Sequence, residues 1–143
     1  MHADRWLERW LLLVAERVET QPILELGCGS GIDTSTLEAA GHRVVAVDLS
    51  EDSIAKARVR APPAGVLLCR LNSTNDHHFG ASGHPEIEPN YYLVDGQQKR
   101  FFSKAAVQEL FATGWCVLHL EERVVHRYAI PKAVWEVVLE KAG

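Results

Sequence analysis

A strand that runs into a glycine-rich turn and then into a helix constrains this chain more than any other feature. After Pro22, Ile23-Leu24-Glu25-Leu26 is a short apolar segment that ends on Gly27-Cys28-Gly29-Ser30-Gly31. Residues 32–40 then read as a helix stopped by Gly41. Such a junction aims backbone N–H groups and the positive end of a helix at the space beyond the strand's carboxyl end. In open α/β sheets that is where ligands bind. Residues 43–47 are again apolar and β-branched and close on Asp48, so a second strand is expected beside the first, with the intervening helix as crossover.

The spacing narrows the ligand. Asp48 ends the second strand 21 positions after Gly27, where a carboxylate can accept hydrogen bonds from both hydroxyls of a ribose. Gly27, Gly29 and Gly31 let a ligand approach the backbone, and Cys28 reads as a small filler in the same turn. Together these specify an adenosine site. A dinucleotide fingerprint would need GxGxxG, but here the third glycine is one place early and position 32 is Ile32. Glu25 would repel a pyrophosphate and suits a ligand carrying an ammonium or sulfonium group. On residues alone, a nicotinamide or other nucleotide ligand is the competing reading.

Further elements follow from periodicity. Residues 4–19 carry Trp6, Leu7, Trp10, Leu11, Val14 and Val18 at helical spacing, giving an amphipathic opening helix. Ser50-Glu51-Asp52 suits a helix start, with the helix over residues 51–60 ended by Pro62-Pro63. Residues 65–71 form the next strand, after which residues 72–99 show no regular pattern and read as a long binding loop or a disordered one. Ser103 caps a helix over 104–112, residues 115–121 form a strand, and 133–141 alternate as a strand, with residues 124–131 closing a long hairpin. No linker separates two domains, so one domain over 1–143 is expected, with a ligand half at 1–61 and a substrate-side half at 62–143.

Glu25-Leu26-Gly27-Cys28-Gly29-Ser30-Gly31 with Asp48-Leu49-Ser50 resembles the first two motifs of class I S-adenosylmethionine-dependent methyltransferases. The resemblance implies that Glu25, Gly27, Cys28, Gly29, Ser30, Gly31, Asp48 and Leu49 contact S-adenosylmethionine. It also implies a Rossmann-like three-layer αβα fold. The second half is similar to small bacterial methyltransferases of the tellurite-resistance and thiopurine-handling type. That likeness rests on Leu67-Leu68-Cys69-Arg70-Leu71-Asn72-Ser73, Asn75-Asp76, Lys99-Arg100-Phe101-Phe102-Ser103, Gly114-Trp115 and Trp135-Glu136-Val137-Val138. That family has two strand-helix units between the second-strand acid and the strand at Gly65. Two units need on the order of 60 residues, so the third and fourth strands are expected to be absent here. The shortened sheet would then run, in this chain's own strand order, 2-1-3-5-4, or leave apolar edges that a homodimer covers.

Methyl transfer from a sulfonium is an in-line displacement driven by alignment, and no protein nucleophile is obligatory. No catalytic residue is assigned from the sequence. Substrate-side candidates are Arg70, Asn72, His77, Tyr91 and Arg100, with Ser73, His78, Tyr92 and Lys99 beside them. The cations suit an anionic or soft-atom acceptor, and a histidine can take its proton. Pro89-Asn90-Tyr91-Tyr92 has the wrong order for a base-methylating motif, and the net charge of −4 gives no general attraction to nucleic acid or anionic lipid. The expected partner is therefore a small molecule. The apolar run at residues 10–15 is too short to span a bilayer. Three cysteines without a CxxC pair read as reduced thiols in a cytoplasmic protein, and His78 and His84 lack neighbours at ligand spacing, so no metal is expected. The rival class is a shortened, non-catalytic module that binds S-adenosylmethionine or S-adenosylhomocysteine and self-associates.

Overall fold

The computed structural model describes residues 5–26, 32–47, 65–126 and 129–143, which fall into two compact units, Arg5–Val66 and Leu67–Ala142. In the first unit the opening helix starts as a 3₁₀ turn over Trp6–Trp10 and continues as α1, Leu11–Val18. Trp6, Leu7 and Val14 are its buried residues, as the helical spacing required. Strand β1, Ile23–Leu26, is followed by helix α2, Ile32–Ala39, and strand β2, Val44–Val47. Helix α2 ends as expected on Gly41, whose φ of +91° closes the last turn. The Gly41 N–H donates to Glu38 O at 2.9 Å and that of His42 to Leu37 O at 3.1 Å.

Strands β1 and β2 are parallel, with Ile23 opposite Val44, Leu24 opposite Val45, Glu25 opposite Ala46 and Leu26 opposite Val47. The helix expected over residues 51–60 lies outside the described residues. The description resumes at Gly65, one residue before strand β3, Val66–Asn72.

The strand ladders of the second unit whose register is given are antiparallel, with one isolated parallel bridge between Ser73 and Phe102. Helix α3, Lys104–Leu110, begins on Ser103, whose Oγ accepts the Ala106 N–H at 3.1 Å. Strands β7, Trp115–Val125, and β8, Lys132–Lys141, make the expected hairpin, with a register shift between Val117 and His119. Both strands are longer than the apolar patterning alone marks, because β7 runs on through Glu121, Glu122 and Arg123. The strand order is β3-β8-β7, so β8 is central, and Val137, Val138 and Leu139 have no exposed surface.

Residues 72–99 are the clearest correction. They contain a 3₁₀ turn at His77–Phe79 and then a three-stranded meander of β4, Glu86–Glu88, β5, Tyr91–Val94, and β6, Gln97–Arg100. Its strands are only three or four residues long, so period-two alternation has too little length to register. The signal was in the turns: Asn90 at φ +61° and Asp95-Gly96 at +48° and +82° are hairpin turn residues with the left-handed backbone that two-residue loops need. The expected single five-stranded sheet in the order 2-1-3-5-4 is not formed among the described residues. Strands β1 and β2 form one sheet and β3-β8-β7 another, and no β1–β3 ladder is found among the described residues.

Candidate functional site

Parallel pairing in register brings the ends of β1 and β2 together. Leu26 stands opposite Val47, so the chain leaves two adjacent strand ends, about 5 Å apart, on the same side. The segments that follow are the glycine turn and Asp48. The two motifs therefore emerge from one end of one strand pair, the geometry an adenosine site requires. Gly27, Cys28, Gly29, Ser30, Gly31, Asp48 and Leu49 lie outside the described residues.

Glu25 is described. Its Oε2 accepts a hydrogen bond from Thr34 Oγ1 at 2.6 Å, so the carboxylate on β1 reaches the first turn of α2. That contact holds negative charge at the start of α2, consistent with a cationic ligand group and unfavourable for a pyrophosphate. Asp33, in the same helical turn, accepts from Trp6 Nε1 at 3.3 Å through both carboxylate oxygens. An acid in the first turn complements the helix dipole, and this one also fixes α2 to the opening helix. Thr34 and Asp33 were not singled out from sequence, because their partners lie nine and 27 positions away.

The substrate candidates all lie in the second unit or on β3, and the structure gives most of them work within the protein. Arg100 Nη2 binds Glu88 Oε1 at 2.5 Å, and its guanidinium lies 4.3 Å from the centre of the Tyr91 ring. The Tyr91 hydroxyl donates to Gln98 Oε1 at 2.5 Å. Asn72 Nδ2 donates to Arg100 O at 3.3 Å, and Lys99 Nζ to Phe79 O at 3.5 Å. These contacts tie the meander to the end of β3, and they commit Arg100 to Glu88 and Tyr91. Tyr92 leans on Phe101, with ring centres 6.0 Å apart. His77 Nδ1 lies 3.1 Å from Ser82 Oγ.

Arg70 is half-buried on β3, with Nη2 4.0 Å from Glu136 Oε2. Glu136 is fully buried on β8, and its Oε1 lies 3.6 Å from His119 Nε2 on β7. Each strand of the β3-β8-β7 sheet thus contributes one member to a polar row centred on the buried Glu136.

The segment just past β3 is a polar hub. Ser73 is fully buried, and its Oγ donates to Glu122 Oε2 while accepting the Asn75 N–H at 3.0 Å. Asn75 Nδ2 reaches both Glu122 oxygens, at 3.1 and 3.2 Å. Asp76 is 1% exposed and takes Lys132 Nζ at 3.1 Å and the Ala133 N–H at 3.0 Å. Sequence reasoning placed Asn72 and Ser73 on the substrate side, but their side chains are used to join β3 to β6 and β7. Asp76 was read only as part of a resemblance. Its partner Lys132 is 56 positions away, beyond any local pattern.

Burial pushes the Cys69 thiol up to about 12, so it stays protonated and unreactive, whereas Cys116 is exposed. No group of three or more histidines, cysteines or acids suited to a metal ion occurs among the described residues. None of their helices is long and apolar enough to cross a membrane.

Comparison with known proteins agrees with the motif pair. Residues 23–80 match the family model described as a methyltransferase domain. Ubiquinone biosynthesis O-methyltransferase of Hydrogenovibrio crunogenus is 31% identical over 79 residues, covering 55% of this chain and 30% of that protein. The enzymes of the same name from Sodalis glossinidius and Aromatoleum aromaticum are 33% and 37% identical, over 44% and 42% of this chain and 24% of their own length. The match thus spans 24–30% of these relatives' length. A solved structure from work on the "Conversion of a Disulfide Bond into a Thioacetal Group during Echinomycin Biosynthesis" is 15% identical, with a TM-score of 0.56 over 92% of this chain and 81% of the other. That likeness extends the shared Rossmann-like α/β fold beyond the matched segment. Residues 23–80 of the chain are thus similar to methyltransferase domains, for which S-adenosylmethionine is the methyl donor.

Proposed function

We propose that this chain binds S-adenosylmethionine at the ends of β1 and β2 and transfers its methyl group to a small-molecule acceptor by in-line displacement. The observation that carries the reading is the in-register parallel pair. Leu26 and Val47, which Gly27 and Asp48 follow in sequence, end neighbouring strands, and the Glu25 carboxylate is held at the start of α2. The residues fit the cofactor chemically. Asp48 would take the ribose hydroxyls, the turn's N–H groups and the start of α2 would face the amino-acid carboxylate, and Glu25 would add negative charge favouring the cationic end. S-adenosylmethionine, when bound, supplies an electrophilic methyl group on a sulfonium. What the protein adds is alignment of acceptor, carbon and sulfur and exclusion of competing water.

The finer reading is a shortened three-layer αβα domain related to the tellurite-resistance and thiopurine-handling enzymes. It is supported by the second-half residues and by the described chain passing from β2 to β3 with only residues 48–64 between. The O-methyltransferase relatives add hydroxyl acceptors to thiols and soft-atom oxyanions. A cytoplasmic homodimer that covers a sheet edge completes the proposal.

Calorimetric titration with S-adenosylhomocysteine at neutral pH tests it, with one-to-one binding expected. Asp48→Ala removes a charged hydrogen-bonding group worth about 2–3 kcal/mol, so affinity should fall on the order of 100-fold. Absence of binding to the unsubstituted protein would overturn the reading.

A further inference from the structure

The first turn of α2 carries two adjacent polar residues, and both reach elements distant in sequence. Both Asp33 carboxylate oxygens accept the Trp6 Nε1–H at 3.3 Å, and Thr34 Oγ1 donates to Glu25 Oε2 at 2.6 Å. One residue thereby ties α2 to the opening helix and the next ties it to strand β1. All four residues belong to the first unit, Arg5–Val66.

The two carboxylates differ in the acceptor capacity they have left. Asp33 meets the buried Trp6 through both oxygens. Glu25, the third residue of the four-residue β1, is half-buried and engages only Oε2; its Oε1 has no hydrogen-bond partner among the described residues. A threonine inside a helix often turns its hydroxyl back to the carbonyl of the preceding turn. A hydroxyl has a single proton to donate, and Thr34 gives its proton to Glu25. Hydrogen bonds to a carboxylate are short and strong. Fixing one oxygen at the start of α2 also fixes the direction in which the other is presented.

We infer that Thr34, by holding Glu25, makes the site at the strand ends select ligands that carry an ammonium group; this rests on the methyltransferase reading above. S-adenosylmethionine and S-adenosylhomocysteine have an α-ammonium on their amino-acid tail. The compound 5′-methylthioadenosine has the same nucleoside and sulfur without that tail. Glu25 Oε1 accepts from the ammonium, and Thr34, which acts through Glu25, is a positioning residue. A carboxylate not already fixed would lose side-chain freedom on meeting the ammonium. That cost falls only on ligands with the tail.

Calorimetry at neutral pH with S-adenosylhomocysteine and 5′-methylthioadenosine tests this. Thr34→Val should weaken S-adenosylhomocysteine about tenfold while leaving 5′-methylthioadenosine within about twofold. Thr34→Ser keeps the hydroxyl and should bind S-adenosylhomocysteine within about threefold of the unsubstituted protein. In a Glu25→Gln background, adding Thr34→Val should cost less than about twofold, because the two side chains act as one unit. That cycle is read with S-adenosylhomocysteine alone and decides the matter where 5′-methylthioadenosine binds too weakly to titrate. An equal loss for both ligands, full affinity in Thr34→Val, no rescue by Thr34→Ser, or additive losses in the double variant would overturn the assignment and leave the cofactor site standing. If S-adenosylhomocysteine does not bind the unsubstituted protein, the methyltransferase reading falls and this assignment with it.

Discussion

The two units hold themselves together by different means. In Arg5–Val66 a two-stranded parallel pair is braced by short polar contacts at part-buried sites, Thr34 to Glu25 and Trp6 to Asp33. In Leu67–Ala142 the braces centre on buried carboxylates: Asp76 with Lys132, and Glu136 between Arg70 and His119, on a strand with three fully buried apolar residues in succession. The first unit carries the paired strand ends that Gly27 and Asp48 follow in sequence. The second spends polar side chains on fixing loops and strands in place.

The comparison predicts unequal sensitivities, measured by urea unfolding. Asp76→Ala leaves the Lys132 ammonium beside an empty, largely buried site and should cost about 3–5 kcal/mol, the largest single effect. Gly80→Ala forces a Cβ against Val94 at a backbone angle unfavourable for other residues, and should cost about 2 kcal/mol. Thr34→Val removes one part-buried hydrogen bond to a carboxylate and should cost about 1 kcal/mol. If Thr34→Val proved as damaging as Asp76→Ala, the contrast between the units would be wrong.

The smallest effect concerns Cys69. A thiol raised from 9.0 to about 12 by burial contributes nothing pH-dependent below pH 9, where it is protonated in both folded and unfolded chains. Above pH 9 the unfolded thiol ionises first, so stability falls as pH rises from 9 towards 12. At pH 8, peptide mapping after iodoacetamide should find Cys116 alkylated well before Cys69.

What the sequence made legible follows the same division. Strand β1 and helix α2 were readable almost to the residue because their signals are local: an apolar run, a glycine turn, a glycine stop. The Ser103 cap and the β7–β8 hairpin were readable for the same reason. The meander was missed because its strands are shorter than a periodicity can show, although Asp95-Gly96 marked its tightest turn. Asn72, Ser73 and Arg70 read as substrate-side groups because the sequence does not show their partners within the protein. Those partners, Arg100, Glu122 and Glu136, come from 28 to 66 positions further along the chain. Glu136 alternates along β8 like any outward residue, and only the two flanking strands reveal it as buried.

The central claim is that the strand ends of the first unit hold the methyl donor. Amide hydrogen exchange with and without S-adenosylhomocysteine tests it most directly. The account predicts added protection at residues 23–34 and 44–49, with the meander at 86–100 unchanged by this ligand alone. Protection confined to the second unit, or none at saturating ligand, would contradict it.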